Sequence, residues 1–222
     1  MRISPAHLEG DLAKPDGAAA IVLFAHGSGS SRHSSRNRYV AQILQQSGFA
    51  TLLLDLLTAE EEQVDLHTRK LRFDILLLAQ RLGEASHWLQ NDSDTYNLPL
   101  GLFGASTGAA AALVTAAKQR GAVRAVVSRG GRPDLAGSAL AEVKAPTLLI
   151  VGENDEAVVE LNREALGRLA AEKKLVIVPH ATHLFEEPGA LKQVAELAAD
   201  WFRIHLNTAA AADTGASRTS RR

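Results

Sequence analysis

A serine, an acid and a histidine arrive along this chain in the order and spacing that nucleophilic acyl chemistry needs. Ser106 lies within Gly104-Ala105-Ser106-Thr107-Gly108, after the apolar run 98–103 and before an alanine-rich stretch. Strand, Gly-x-Ser-x-Gly and helix together form the pattern of a nucleophile elbow, a sharp turn that exposes the serine. The flanking glycines carry no Cβ, so the turn can bend and the helix can approach the strand. The helix aims its free N–H groups and positive dipole end at the serine, which favours a developing oxyanion. A serine hydroxyl is a poor nucleophile at neutral pH and needs a base beside it. Histidine can take that proton and return it to a leaving group, and a carboxylate can hold the imidazole in the required tautomer.

Several elements must position these groups. Residues 19–25 and 51–57 read as buried strands, and so do 98–103, 123–128, 147–151 and 175–178. Continuous apolar runs of this length suit a parallel sheet covered on both faces. A short edge strand is expected near residues 2–8. Helical spacing covers 34–47, 69–89, 106–120, 158–171 and 190–206. Residues 58–68, with Glu60-Glu61-Glu62, read as a linker with a solvated acidic turn. Strand and helix alternate throughout, so the expected fold is α/β: a mostly parallel sheet of about six or seven strands with helices on both faces. Residues 1–206 are expected to form a single domain. Residues 207–222 lack large apolar side chains and read as a flexible tail.

Ligands of such a sheet bind at the carboxyl ends of its strands. Ser106 follows one strand. Gly152-Glu153-Asn154-Asp155-Glu156 follows another, and Pro179-His180-Ala181-Thr182-His183 follows the last. Asp155 is the first choice of acid among Glu153, Asp155 and Glu156, with Asp134 second. His183 is preferred over His180, which falls directly at the strand end. Two backbone N–H groups should bind the oxyanion: that of Thr107, and one from His26-Gly27-Ser28-Gly29, with Ser28 first and Gly29 next. His26 is expected to hold that loop.

Composition narrows the remaining classes. The chain has 222 residues, a net charge of −1 and no cysteine. Disulfides, thiolate catalysis and cysteine-based metal sites are excluded, and no bulk charge points to nucleic acid or an anionic membrane. No stretch reaches the length of a membrane span, and the N-terminal residues show no signal-peptide core. No clustered metal ligands and no cofactor motif are found. The expectation is a soluble cytoplasmic protein with a small-molecule partner, as a monomer or small homo-oligomer.

These motifs resemble the α/β-hydrolase superfamily, and within it the small, single-domain dienelactone hydrolase-like proteins. The carriers are residues 26–34, 104–108, 128–135 (Ser-Arg-Gly-Gly-Arg-Pro-Asp-Leu), 152–155 and 181–188. The resemblance spans nearly all of residues 18–206. Dienelactone hydrolases proper use a cysteine nucleophile, where this chain has Ser106. The resemblance therefore implies a general carboxylic-ester hydrolase, acting on small soluble esters or lactones through an acyl-enzyme. An acyltransferase or a perhydrolase could use the same triad, and a non-catalytic binding protein could use the same fold.

Two further expectations concern the pocket. The interval 130–146 is too short for a cap domain, so the site should be open, with any cover coming from 58–68. Arg32, His33, Arg36 and Arg38 cluster where a helix begins, a position unfavourable to cations. Arg129 and Arg132 lie at the same edge of the sheet. Arg36 and Arg129 are therefore candidates to bind an anionic substrate group. The competing expectation pairs these arginines with Asp74, Asp134 or Glu60–Glu62.

Overall fold

Six apolar strands and their crossover helices build the sheet that carries the site. The computed structural model describes residues 1–206, and the expected tail 207–222 lies outside the described residues. The sheet has eight strands in the order β1-β2-β4-β3-β5-β6-β7-β8. Strands β3 (Ala20–Ala25), β4 (Phe49–Leu54), β5 (Leu100–Ala105), β6 (Val123–Arg129), β7 (Thr147–Gly152) and β8 (Lys173–Val178) run parallel. Strands β1 (Arg2–Ile3) and β2 (Leu8–Ala13) add an antiparallel edge.

That edge corrects the expected strand count. The region around residues 2–8 contributes two strands, not one, because β2 continues from Leu8 through Glu9-Gly10-Asp11. Only alternate residues of β2 face inward, and Gly10 supplies no side chain, so its apolar signal is weak. It still pairs along β4 from Gly10 to Ala13. The central strand β5 lies between β3 and β6 and is buried throughout.

Helices α1 (Ser35–Gln46) and α6 (Ala190–Leu206) cover one face of the sheet through Val40, Leu44, Val194 and Phe202. Helices α3 (Ile75–Asn91) and α4 (Thr107–Lys118) cover the other through Leu78, Leu82, Ala110 and Leu113. Helix α4 is buried from Thr107 to Ala117, and its run of alanines lets its axis lie close against the strands. Helix α5 (Glu156–Arg168) packs Val158 and Val159 against Val151. Between β6 and β7 the chain forms only a 3₁₀ segment, Pro133–Glu142, and no cap domain.

Residues 58–68 are not a linker. They form α2 (Ala59–Thr68), started by a capping box: the Thr58 side chain accepts from Glu61 N–H, and the Glu61 side chain accepts from Thr58 N–H. The acidic run occupies the first turn, where the helix dipole favours negative charge. Glu61 also meets Arg81 at 2.7 Å. The expected helix from residue 69 begins later. A 3₁₀ turn, Leu71–Phe73, precedes it, and Asp74 caps α3 by accepting from Leu77 N–H. Among the described residues no helix is long and apolar enough to cross a membrane.

Replacing Thr58 with alanine should cost about 0.5–2 kcal/mol, the usual worth of a side-chain N-cap. The expected readout is a lower urea midpoint together with faster amide exchange confined to α2; unchanged exchange there would remove the capping box from the account of this segment.

Candidate active site

Ser106 is the residue on which local geometry bears hardest. Its backbone sits at φ 51°, ψ −121°, in the left-handed half of φ space that a residue with a Cβ rarely adopts. Three glycines make room for it. A Cβ on Gly108 would lie 2.3 Å from the carbonyl oxygen of Ala25, and one on Gly104 would lie 2.4 Å from Ala109 Cα. A Cβ on Gly27 would lie 2.9 Å from Ser106 Cβ. The first two bring α4 against β5 and β3. The third brings the loop after β3 against the serine. Two backbone bonds tie the elbow to the chain after β6: Ser106 N–H donates to Arg129 O at 3.2 Å, and Arg132 N–H donates to Ser106 O at 3.0 Å.

The acid and the histidine follow β7 and β8, two and three strands along the sheet from β5. His183 Nδ1 lies 2.6 Å from Asp155 Oδ2. A carboxylate only accepts, so Nδ1 carries the proton and Nε2 is left as the basic nitrogen. Asp155 is largely buried, while the His183 ring is 40% exposed. The other candidates are engaged elsewhere. Glu153 accepts from His180 N–H and faces the His180 ring, which is exposed. Asp134 forms a two-point pair with Arg132. Glu156 opens α5.

Side chains that the sequence did not single out hold the two loops together. Asn154 donates from its amide to His180 O at 2.8 Å, and its N–H donates to Ala181 O at 2.9 Å. Thr182 donates to Glu187 through both its hydroxyl and its N–H. Buried Asn162 reaches across from α5 to donate to Gly131 O at 2.9 Å. Asparagine, threonine and glutamate are common in surface loops, so no sequence signal marks these for positioning.

The loop after β3 holds the expected oxyanion donors. His26 has Leu56 N–H donating to its Nε2 at 3.1 Å, so Nδ1–H donates to Gly27 O at 2.9 Å. The imidazole is neutral in this arrangement, and its burial pushes its pKa below the ordinary value, with the Gly27 carbonyl and the Asp55 and Glu62 charges only partly opposing. Ser28, Gly29 and Thr107 line one pocket with Leu57, Glu62 and Arg72. Glu62 and Asp65 of α2 border this pocket, on the segment 58–68 expected to supply any cover.

The arginines separate. Arg32 is taken by Asp55, Glu9 and Asp11, and Arg132 by Asp134. Arg36 meets Glu186 at 3.3 Å, not the acids expected for it, because the histidine loop passes beside the start of α1. Arg129 is 7% exposed, and its Nε and Nη1 have no hydrogen-bond partner. Among the described residues no cluster of His, Asp and Glu has the makings of a metal site.

Comparison with known proteins follows the same outline. The description of the dienelactone hydrolase family matches residues 8–214. The chain belongs to the dienelactone hydrolase family. It is 62% identical to a dienelactone hydrolase from Anabaena variabilis of known crystal structure, with a TM-score of 0.90 over 92% of this chain and 94% of that one. Est1E from Butyrivibrio proteoclasticus shares the fold at 16% identity, with a TM-score of 0.76 over 92% of this chain and 97% of that one. A Mycobacterium tuberculosis protein named "Putative phosphoribosyl transferase" is 60% identical over 202 residues, covering 91% of this chain. The chain spans about 45% of that relative's length.

The neutral His26 couples stability to pH. Its folded pKa lies below the unfolded value of about 6.5, so below that value the unfolded chain binds the extra proton. Its contribution is therefore present above pH ~6.5 and is lost as pH falls toward the folded pKa. Wild type should lose stability in urea melts as pH falls through this range, and His26→Gln should show a flatter dependence. Equal slopes would mean that His26 is not held neutral.

Proposed function

We propose that this protein is a serine hydrolase of small carboxylic esters or lactones, working through an acyl-enzyme on Ser106. The observation that carries the reading is the 2.6 Å contact between His183 Nδ1 and Asp155 Oδ2, at the carboxyl edge of the sheet that also carries the strained Ser106. His183 Nε2 takes the proton as Ser106 Oγ attacks the ester carbonyl. Asp155 stabilises the imidazolium that results. The N–H groups of Thr107 and Ser28 receive the negative oxygen, donors of a kind whose single loss costs roughly 10²–10³ in turnover. The imidazolium then gives its proton to the leaving alcohol. Water enters, His183 deprotonates it, and the acid is released as Ser106 recovers its proton.

Membership in a hydrolase family supports this reading, as does a fold shared with proteins named as esterases. The pocket beside Thr107 has no cap domain over it, only α2 and the turn after it, which suits short acyl groups. The transferase name of the mycobacterial relative suggests a different activity. We assign that activity to the part of the relative that this chain does not match, since the matched part is the hydrolase fold described here. Product analysis with competing alcohols or peroxide separates hydrolysis from acyl transfer and perhydrolysis.

A fluorophosphonate should modify folded protein at Ser106 alone, and Ser106→Ala should lose at least about 10³ in kcat/KM. A 4-nitrophenyl ester series should favour short acyl chains. No adduct on Ser106 would overturn the hydrolase reading, and a preference for long chains would overturn the small-acyl assignment.

A further inference from the structure

An asparagine stands at the centre of α5, where an apolar residue would pack. Asn162 is fully buried, and its Oδ1 has no hydrogen-bond partner. Asparagine is also a poor helix former, and a buried unsatisfied oxygen is destabilising. What the residue supplies is a donor. Its Nδ2 donates to Val158 O at 2.8 Å and to Gly131 O at 2.9 Å. Both partners are carbonyls, so the nitrogen must be the end that faces them.

The bond to Gly131 ends on a peptide that leads to the serine. The peptides on either side of Gly131 and Ser106 are trans. In a planar trans peptide the C=O and the following N–H point opposite ways. Gly131 O therefore faces Asn162, while Arg132 N–H, across the same peptide plane, donates to Ser106 O at 3.0 Å. Ser106 O belongs in turn to the peptide that carries Thr107 N–H. Thr107 is the first residue of α4, so its N–H has no partner within the helix. Ser106 O also accepts from Ala109 N–H at 3.1 Å, inside the first turn of α4. The bond from Arg132 is the one that arrives from another element.

Packing leaves this turn little freedom. A Cβ on Gly131 would lie 2.0 Å from Ser128 Oγ and 2.6 Å from Ala109 Cβ, so the turn runs close against β6 and α4. Asp155 is the N-cap of α5, and Asn162 follows it two turns along the same side of the helix. The element that presents the acid therefore also presents the donor to the turn.

We infer that Asn162 is a positioning residue for the oxyanion hole: through the 131–132 and 106–107 peptides it aims the Thr107 N–H at the oxygen of the reacting carbonyl. This rests on the hydrolase reading and adds a support to it. Asn162 acts through backbone, not by touching substrate. Its bond fixes the tilt of two peptide planes in series, and each hydrogen bond in such a chain polarises the next. The donor is then set before charge develops on the oxygen, which is the condition under which such groups lower a barrier most.

The test compares wild type with Asn162→Leu and Asn162→Ser. The substrate is a 4-nitrophenyl ester of a short acid, and the inhibitor is a short alkyl trifluoromethyl ketone. Ser106 Oγ adds to the ketone carbonyl carbon, its proton passes to His183, and the carbonyl oxygen becomes the oxyanion. Leucine keeps the volume and removes the donor. Serine can still bond to Val158 O but is too short to reach Gly131. Each variant should lose about tenfold in kcat with KM little changed, a part of the roughly 10²–10³ that a whole oxyanion donor is worth. The inhibition constant of the ketone should rise by the same factor. The downfield proton resonance of His183 Nδ1–H should keep its wild-type position, because the acid and the base are untouched. In wild type the amide protons of Thr107 and Arg132 should both move downfield when the ketone adduct forms. A cooperative urea transition reports that each variant is folded. Folded variants with unchanged kcat and inhibition constant would make Asn162 structural only and overturn the inference. A loss confined to KM, or one that comes with a displaced His183 resonance, would overturn it as well. If neither variant folds, the wild-type amide shifts decide, and a shift confined to Thr107 contradicts the relay. In each of those cases Ser106 still reacts and the hydrolase reading stands. A wild type that neither turns over the ester nor forms the adduct is the separate failure of that reading.

Discussion

Ser106 occupies a backbone conformation that holds only because its surroundings leave the chain nowhere else to go. A non-glycine residue at positive φ costs on the order of 1–3 kcal/mol, and strain of this kind persists where neighbouring structure over-determines it. Here the determinants are close backbone contacts. Helix α4 lies against β3 and β5 at distances that no Cβ at Gly104 or Gly108 would permit. The loop after β3 presses on Ser106 through Gly27. The elbow is also bonded on both sides to the turn after β6. The alanines of α4, the burial of β5 and the short glycine loops all follow from the need to bring these backbones together.

Electrostatics is arranged around the same point. At the same edge of the sheet are a neutral histidine, His26, which orients a loop, and a second histidine, His183, whose tautomer is set by Asp155. The two imidazoles do different work because their partners differ. His26 is flanked by a backbone carbonyl and a backbone N–H, which fix it neutral and buried. His183 has a carboxylate on one ring nitrogen, which leaves the other without the proton. Most of the cations near the site are neutralised by neighbouring acids, as Arg32, Arg72 and Arg132 are. Arg129 stands apart because its burial is not matched by an acid.

The parts legible in the sequence were those written in local patterns. Apolar runs marked the parallel strands, and Gly-x-Ser-x-Gly marked the elbow. Chain order placed Asp155 and His183 after the last two strands, and the structure puts them in contact. The parts that were hidden depend on weak or distant signals. Strand β2 hides because Glu9, Gly10 and Asp11 dilute its alternation, although its inward residues still pair along β4. Helix α2 hides behind its acidic run, yet Thr58 and Glu61 are a capping box, so a closer reading of Thr-x-x-Glu would have found it. The partners of the arginines were not legible: Arg36 and Glu186 are separated by 150 positions and meet only through the fold. The same holds for Asn162, whose bond to Gly131 steadies the turn beneath the serine.

The central claim is that Ser106 becomes covalently acylated during turnover. Rapid quenching of the protein with a small ester, followed by digestion and mass measurement, reads this directly. The account predicts that one acyl group will be found on the peptide containing Ser106, formed in a burst of one alcohol per chain when deacylation is the slower step, and absent from Ser106→Ala. Turnover of the same ester with no acyl mass on Ser106, or with the acyl group on another residue, would contradict it.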